Sequence, residues 1–421
     1  MSSAPADFLQ WAAACMFAAA VIHTFSTKFL EHLARTHPRH AGLFHLMGEV
    51  EVVFGLWAMA LVLLMLVVVG NGETISYLES RNFTEPMFVF AIMVVAGTRP
   101  VLDLCSIIVR ILARAVPARP AIGLYFMLLA VVPLFGSFIT EPAAMTLAAL
   151  MLRDTALARP TSTQFRYATI GVLFVNISVG GTLTPFAAPP VLMVASAWGW
   201  DLAFMMTNFG WKAAIIVLLN ASVITFMFRS ELLRSPSPDA RSEPRVPATV
   251  MAVHVFFLAV VVFFSHHTVM FMGALLFFIG YTTAYNKYQT PLILREALLV
   301  AFFLGGLVVL GGQQEWWLQP LLLSMDASTV FYGAAALTAI TDNAALTYLG
   351  SLVEGLSDEF KLALVSGAVA GGGLTVIANA PNPAGVAILR EKFSDEAIHP
   401  LGLLIGALAP TIVALLVFRL L

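Results

Sequence analysis

Two acidic residues stand where an otherwise apolar chain is interrupted, and each has nearly the same neighbours. Ile139-Thr-Glu-Pro-Ala-Ala144 is echoed by Ile340-Thr-Asp-Asn-Ala-Ala345, which pairs Glu141 with Asp342 at an offset of 342 − 141 = 201. A second motif returns in the same order: Gly180-Gly-Thr-Leu-Thr184 matches Gly371-Gly-Gly-Leu-Thr375 at an offset of 371 − 180 = 191. A carboxyl placed inside a bilayer costs about 2.5–3.5 kcal/mol on insertion scales, so stability alone does not keep one there. Withdrawn from water such a group favours its proton, and a bound cation favours its charge, so one carboxyl can hold either. A small hard cation wants oxygen ligands. Around the acids the sequence offers the hydroxyls of Thr140, Thr341, Thr184 and Thr375 and the amides of Asn343, Asn379 and Asn382. Backbone exposed at Gly180, Gly181, Gly371 and Gly372 adds carbonyls. This set predicts a site for Na⁺ or Li⁺ at Glu141 and Asp342. The plainer alternative makes the acids helix caps, the threonines and asparagines braces of broken backbone, and the glycines close-packing positions.

The elements that must carry these residues follow from composition. Of 421 residues 60% are apolar and 11% charged, and mean hydropathy is +0.90; a soluble domain carries about a quarter charged residues. The chain reads as an all-α integral membrane protein, with room for about ten spanning helices. Long apolar runs predict helices over Phe8–Phe29, Leu43–Val69, Met87–Leu112, Phe209–Phe228, Ala248–Phe264, Val269–Tyr285, Ile293–Leu310 and Leu401–Leu421. The interrupted stretches are 121–152, 167–198, 329–353 and 361–389. Arms of the first and third are too short for ~30 Å of hydrocarbon at ~1.5 Å per residue and read as re-entrant hairpins. The second and fourth are long enough to span with an unwound centre, tolerable only inside protein or beside a wet cavity.

Lys and Arg positions orient the chain. With both termini outside, inner loops gather Lys28, Arg110, Arg153, Arg241, Arg245 and Arg390 among others, while only Arg81, Lys212, Lys361 and Arg419 fall outside. The two hairpins then enter from opposite faces, which is an inverted repeat and the architecture of a secondary transporter. The expected units are 1–41 (first helix and inner loop), 42–229 (repeat 1), 230–268 (Pro/Ser/Arg-rich linker and an extra helix) and 269–421 (repeat 2).

Other residues have chemistry of their own. His45 and Glu49, near His23, Glu51 and the loop with His32, His37 and His40, suggest a pH-sensing cluster or simply solvated surface. Arg99 and Asp103, one helical turn apart, suit an internal ion pair or, less simply, an anion-holding Arg. Cys15 and Cys105 are far apart in apolar runs, which excludes a disulfide framework. The N-terminal residues lack the basic start of a cleavable signal, so the first run reads as a permanent helix. A net charge of −2 gives no nucleic-acid footprint, and no nucleotide-binding loop or cofactor motif is present.

Asn176-Ile-Ser-Val-Gly-Gly-Thr-Leu-Thr-Pro-Phe-Ala-Ala-Pro-Pro190 resembles the Asn-x-x-Gly-Gly-x-x-Thr-Pro-x-Gly-x-Pro signature of the ion transporter superfamily. That group includes NhaD-type sodium/proton antiporters, arsenite permeases and citrate and dicarboxylate carriers. Phe138-Ile-Thr-Glu-Pro and Ala339-Ile-Thr-Asp-Asn are similar to its Phe-Leu-Asp-Asn-Val hairpin motif. The whole chain looks most like the branch named putative sodium/proton antiporters. The resemblance implies a scaffold part and a transport part, a homodimer in the cell's inner (plasma) membrane, and a hairpin acid at Asp342 and at Glu141. Here the first hairpin has Glu-Pro where the pattern has Asp-Asn, so the second half, with Asn343, Asn379 and Asn382, is expected to be the better equipped. The expected activity is exchange of Na⁺ or Li⁺ for H⁺ by alternating access. The competing readings are a cation-coupled carrier of carboxylates or arsenite-like oxyanions, a channel, and a membrane scaffold; none of these is an enzyme.

Overall fold

The structure, a computed structural model, describes residues 3–234 and 246–421. Arg241 and Arg245 of the linker, and the side chain of Lys28, lie outside the described residues. Among the described residues every regular element is helical. Five helices are long and apolar enough to cross a membrane: Val50–Val68, Pro120–Ile139, Leu202–Met227, Leu294–Gly311 and Pro400–Leu420. The bent pair Thr84–Ala96 and Arg99–Ala115 makes a sixth if it is one span. Shorter apolar helices lie at Pro189–Trp198, Ala248–Phe263 and Thr268–Ala284. The chain is a multi-pass membrane protein.

Three expectations about these elements need correction. The run Met87–Leu112 is two helices, not one, bent by 66°. Pro100 has no N–H to donate to the Ala96 carbonyl, so running the first helix on through it would forfeit that bond, and the chain is extended at Thr98, whose ψ is 148°. Leu43–Val69 is likewise divided, into Ala41–Met47 and Val50–Val68, with Glu49 extended between them (ψ 121°). The first arm of the first hairpin is not short. It runs unbroken from Pro120 to Ile139, 20 residues or about 30 Å, through Pro133, Gly136 and Ser137. Only its second arm, Glu141–Asp154 with 14 residues, falls short of a full crossing.

Packing then sets how closely the bundle can draw in. Val50–Val68 lies along Leu294–Gly311, and Thr163–Gly180 along Pro400–Leu420. At the second crossing Gly171 faces Gly406, and a Cβ on Gly171 would overlap the Gly406 and Ala407 backbone. Small residues let helix backbones touch where lipid supplies no hydrophobic drive. These contacts frame an interior in which the hairpins and broken helices meet.

Candidate functional site

Each interrupted stretch is shaped by a local signal. In the first hairpin the chain reverses at one residue, Thr140, held at φ 73° and ψ 151° and only 3% exposed. That region is essentially glycine-only, and holding a threonine there costs on the order of 1–3 kcal/mol. Pro142 follows in the first turn of the next helix, where its missing N–H is no loss. The effect is to set Glu141 at the first helical position with its side chain fully buried. In the second hairpin Ala327–Thr338 is followed by a four-residue turn and by Asn343–Ser351. Asp342 caps that helix: its Oδ1 accepts from the N–H groups of Ala344 (2.8 Å) and Ala345 (3.3 Å).

The two broken helices each begin on a serine cap. Ser162 accepts from Phe165 and Ser357 from Phe360. The first runs Thr163–Gly180, unwinds, and restarts at Pro189; the second runs Asp358–Gly371 and restarts at Asn382. Unwinding frees backbone groups that lipid cannot satisfy. Ser137 Oγ takes up two of them, donating to Gly180 O (2.7 Å) and accepting from Leu183 N–H (2.9 Å). Asn382 Nδ2 does the same in the other half, donating to Gly372 O (2.8 Å) and Thr375 O (2.9 Å).

Contacts between hairpin and broken helix recur in the two halves. Thr184 Oγ1 donates to Ser137 O (2.6 Å), and Thr375 Oγ1 to Ala339 O (2.9 Å). Gly180 lies against the backbone of Pro133, and Gly371 against that of Ala335. Gly181 backs onto the Glu141 side chain, and Gly372 onto Asn343 and Ser178. The broken helices keep the sequence offset, 375 − 184 = 191, while the hairpins follow 339 − 137 = 202. The spatial counterpart of Glu141 is therefore Asn343, and that of Thr140 is Asp342. The sequence echo between the acids is one residue out of register with the contacts. The broken helices meet where Ser178 Oγ donates to Val369 O (2.8 Å), residues that are counterparts at the same offset of 191.

At the centre the halves exchange partners. Asn379 of the second broken helix donates through Nδ2 to Glu141 Oε2 of the first hairpin (2.7 Å). Asn379 is 1% exposed and Glu141 0%. The residue corresponding to Asn379 in the first half is Ala188, which has no amide to offer Asn343. Accordingly both side-chain polar atoms of buried Asn343 lack a protein partner. So do Glu141 Oε1, Thr140 Oγ1, Asn379 Oδ1 and Asn382 Oδ1. Among the described residues no Lys, Arg or His pairs with Glu141. Buried oxygens left without donors are the ligand type a small hard cation takes.

The remaining expected residues are more dispersed. Asp342 lies within electrostatic reach of both Glu141 and Glu51, so the acids are brought into one region, and its Oδ1 is committed to the cap. Thr184, Thr375 and Asn382 spend their donors on backbone carbonyls, which is the bracing role. Thr341 is half-buried in the second turn. His45 is exposed, Glu49 pairs with Arg295, and Arg99 Nε lies 3.4 Å from Asp103 Oδ2. Sequence reasoning passed over Ser137 and Ser178 as individual residues. Each is a hydroxyl in an apolar helix close to glycine, Ser137 next to Gly136 and Ser178 just before Gly180-Gly181, a signal for a brace between close backbones.

The protein thus presents a buried carboxyl, buried oxygens without hydrogen-bond donors and broken helices in a membrane bundle. Comparison with characterised proteins finds no significant match. A family model, in contrast, matches residues 8–421, nearly the whole chain. The chain belongs to the family described as "Putative Na+/H+ antiporter", which places it with transporters rather than enzymes and with cation/proton antiport in general.

Proposed function

We propose that the protein exchanges Na⁺ or Li⁺ for H⁺ across the inner (plasma) membrane by alternating access, with Glu141 as the group that holds either ion. The observation that carries this is the state of Glu141: fully buried, one carboxyl oxygen bonded to the Asn379 amide, the other without a partner. A proton on Oε1, or a cation shared by Oε1 and the donor-free oxygens of Thr140, Asn379 and Asn382, completes the same arrangement. The two cannot occupy it together, and that exclusion couples their fluxes. Asp342 orients the second hairpin tip and adds negative charge nearby. Matching contacts in the two halves support an internal repeat; in the architecture proposed it is inverted, with about ten spanning helices and both termini outside. In it a transport part moves against a scaffold, in a homodimer. The repeats meet at Ser178 and Val369.

The test is direct. Protein reconstituted in proteoliposomes under an imposed pH gradient is given Na⁺, Li⁺, K⁺ or Ca²⁺ in turn. Na⁺ or Li⁺ discharges the gradient, and Glu141→Gln abolishes the discharge. An unaltered rate in that variant sinks the mechanism, and Na⁺-dependent uptake of labelled citrate or arsenite in place of exchange favours an anion carrier.

A further inference from the structure

A second buried acid lies beyond the central site. Glu85 is 9% exposed, in the first turn of Thr84–Ala96. Its carboxyl stands between two cavities. One, about 40 Å³ in volume, is lined by Glu85, Phe88, Pro185, Phe186, Ser196 and His266. At 10–15 Å³ of such space per water, it takes about three. The other, about 260 Å³, is an open vestibule that includes Arg81, Asn82, Glu85, Ser196 and Tyr348. Glu85 and Ser196 belong to both.

The small cavity borders the unwound segment of the first broken helix. Pro185 and Phe186 in its wall are part of the unwound segment between Gly180 and Pro189. Four residues before Pro185, Gly181 of that segment backs onto Glu141. His266 and Ser196 are exposed at the mouth, and Glu85 is buried beneath them. This end of the Thr84–Ala96 and Arg99–Ala115 pair is opposite the end carrying Arg110 and Arg114, which makes it the outer end in the orientation proposed above.

We propose that Glu85 is the proton relay of the outer access path, passing protons between vestibule water and the small cavity beside Pro185 and Phe186, on the unwound segment whose Gly181 packs on Glu141. It accepts a proton from vestibule water and gives one to cavity water, so nothing is consumed. The groups that face it are Asn82, whose Nδ2 donates to Glu85 Oε1 (3.0 Å), Ser196, His266, and the more distant Arg81 and Tyr348 across the vestibule. Asn82 also accepts from Thr84 N–H. A simple helix-end role for Glu85 would need only that local network at the surface, not a buried carboxyl joining two cavities.

This inference rests on the exchange reading, and its test keeps the two apart by comparing variants only after the wild-type protein has shown Na⁺-driven proton flux. Glu85→Gln, which keeps the side-chain shape, leaves ²²Na⁺ binding to the detergent-solubilised protein unchanged. It slows exchange by roughly a hundredfold or more and flattens the dependence on outer-face pH, as loss of a positioned proton carrier does. Glu85→Asp restores part of the rate. In a Cys15→Ser, Cys105→Ser background, Ser196→Cys is attacked from outside by a membrane-impermeant thiol reagent, and the adduct slows exchange. The proposal is overturned by wild-type exchange and pH profile in Glu85→Gln, by loss of Na⁺ binding in that variant, or by an adduct at residue 196 that leaves transport untouched.

Discussion

Replacing Gly181 by alanine should act on the ion site and almost nowhere else. A Cβ there would meet the Glu141 carboxyl, with Cγ at 2.8 Å and Cδ at 3.0 Å, where ordinary contact begins at 3.4 Å. The obstacle is the far part of a flexible side chain, so the fold survives by moving the carboxyl roughly half an ångström or more. That shift carries Oε2 away from Asn379 Nδ2, now at 2.7 Å, past the ~3.2 Å at which such a bond is lost. A hydrogen bond to a charged group is worth about 1.5–3 kcal/mol. If it holds the carboxylate in its binding position, Na⁺ affinity falls by roughly 10- to 150-fold. Equilibrium ²²Na⁺ binding on the purified protein reads this directly, and the concentration of Na⁺ giving half-maximal exchange should rise in parallel. Gly180→Ala is the contrasting control, because its Cβ would enter the Pro133 backbone at 2.6 Å, which cannot step aside; that variant should fail to fold. A Gly181→Ala protein that folds and binds Na⁺ with wild-type affinity would refute the placement of the cation at Glu141.

Further outcomes follow from the same geometry. Thr140→Gly releases strain of about 1–3 kcal/mol against a glycine entropy cost of about 0.5–1, so its thermal unfolding in detergent should move upward; a lower transition would contradict the strained turn. Asp342→Asn keeps a competent cap, so the protein should remain folded and retain exchange at a reduced rate, in contrast to Glu141→Gln; equal loss in both would make the two acids equivalent. Thr184→Val and Thr375→Val each leave one carbonyl, of Ser137 and of Ala339, without its donor, at about 1–3 kcal/mol. Two similar drops in unfolding temperature are expected, and a large drop in only one would argue against matched halves.

How much of this was legible in the sequence differs from element to element. The four interruptions were, because Gly, Pro, Thr and Asn inside apolar runs mark backbone that cannot continue as helix. The repeat was also visible, but its register was not. Ile-Thr before an acid matches at 201 residues, whereas the contacts of Ser137 with Thr184 and of Ala339 with Thr375 require 202. Side-chain identity recorded the echo, and carbonyl positions set the packing. The pairing of Glu141 with Asn379 was hidden for a different reason. It joins residues 238 apart, one from each half, and local patterning carries no information about such a meeting. The continuity of Pro120–Ile139 was missed because Gly136 and Ser137 look like breakers. In the fold Ser137 is turned outward from its own helix to brace its neighbour's broken end.

The exchange of partners at the centre makes each half dependent on the other. A half-length polypeptide carrying only the first hairpin and first broken helix would own the acid but lack the amide that steadies it, since Ala188 stands where Asn379 does in its twin. A second copy of the same segment would bring Ala188 again, so only the other half completes the pair. Severing the chain in the linker should therefore yield fragments inert alone and active only when expressed together.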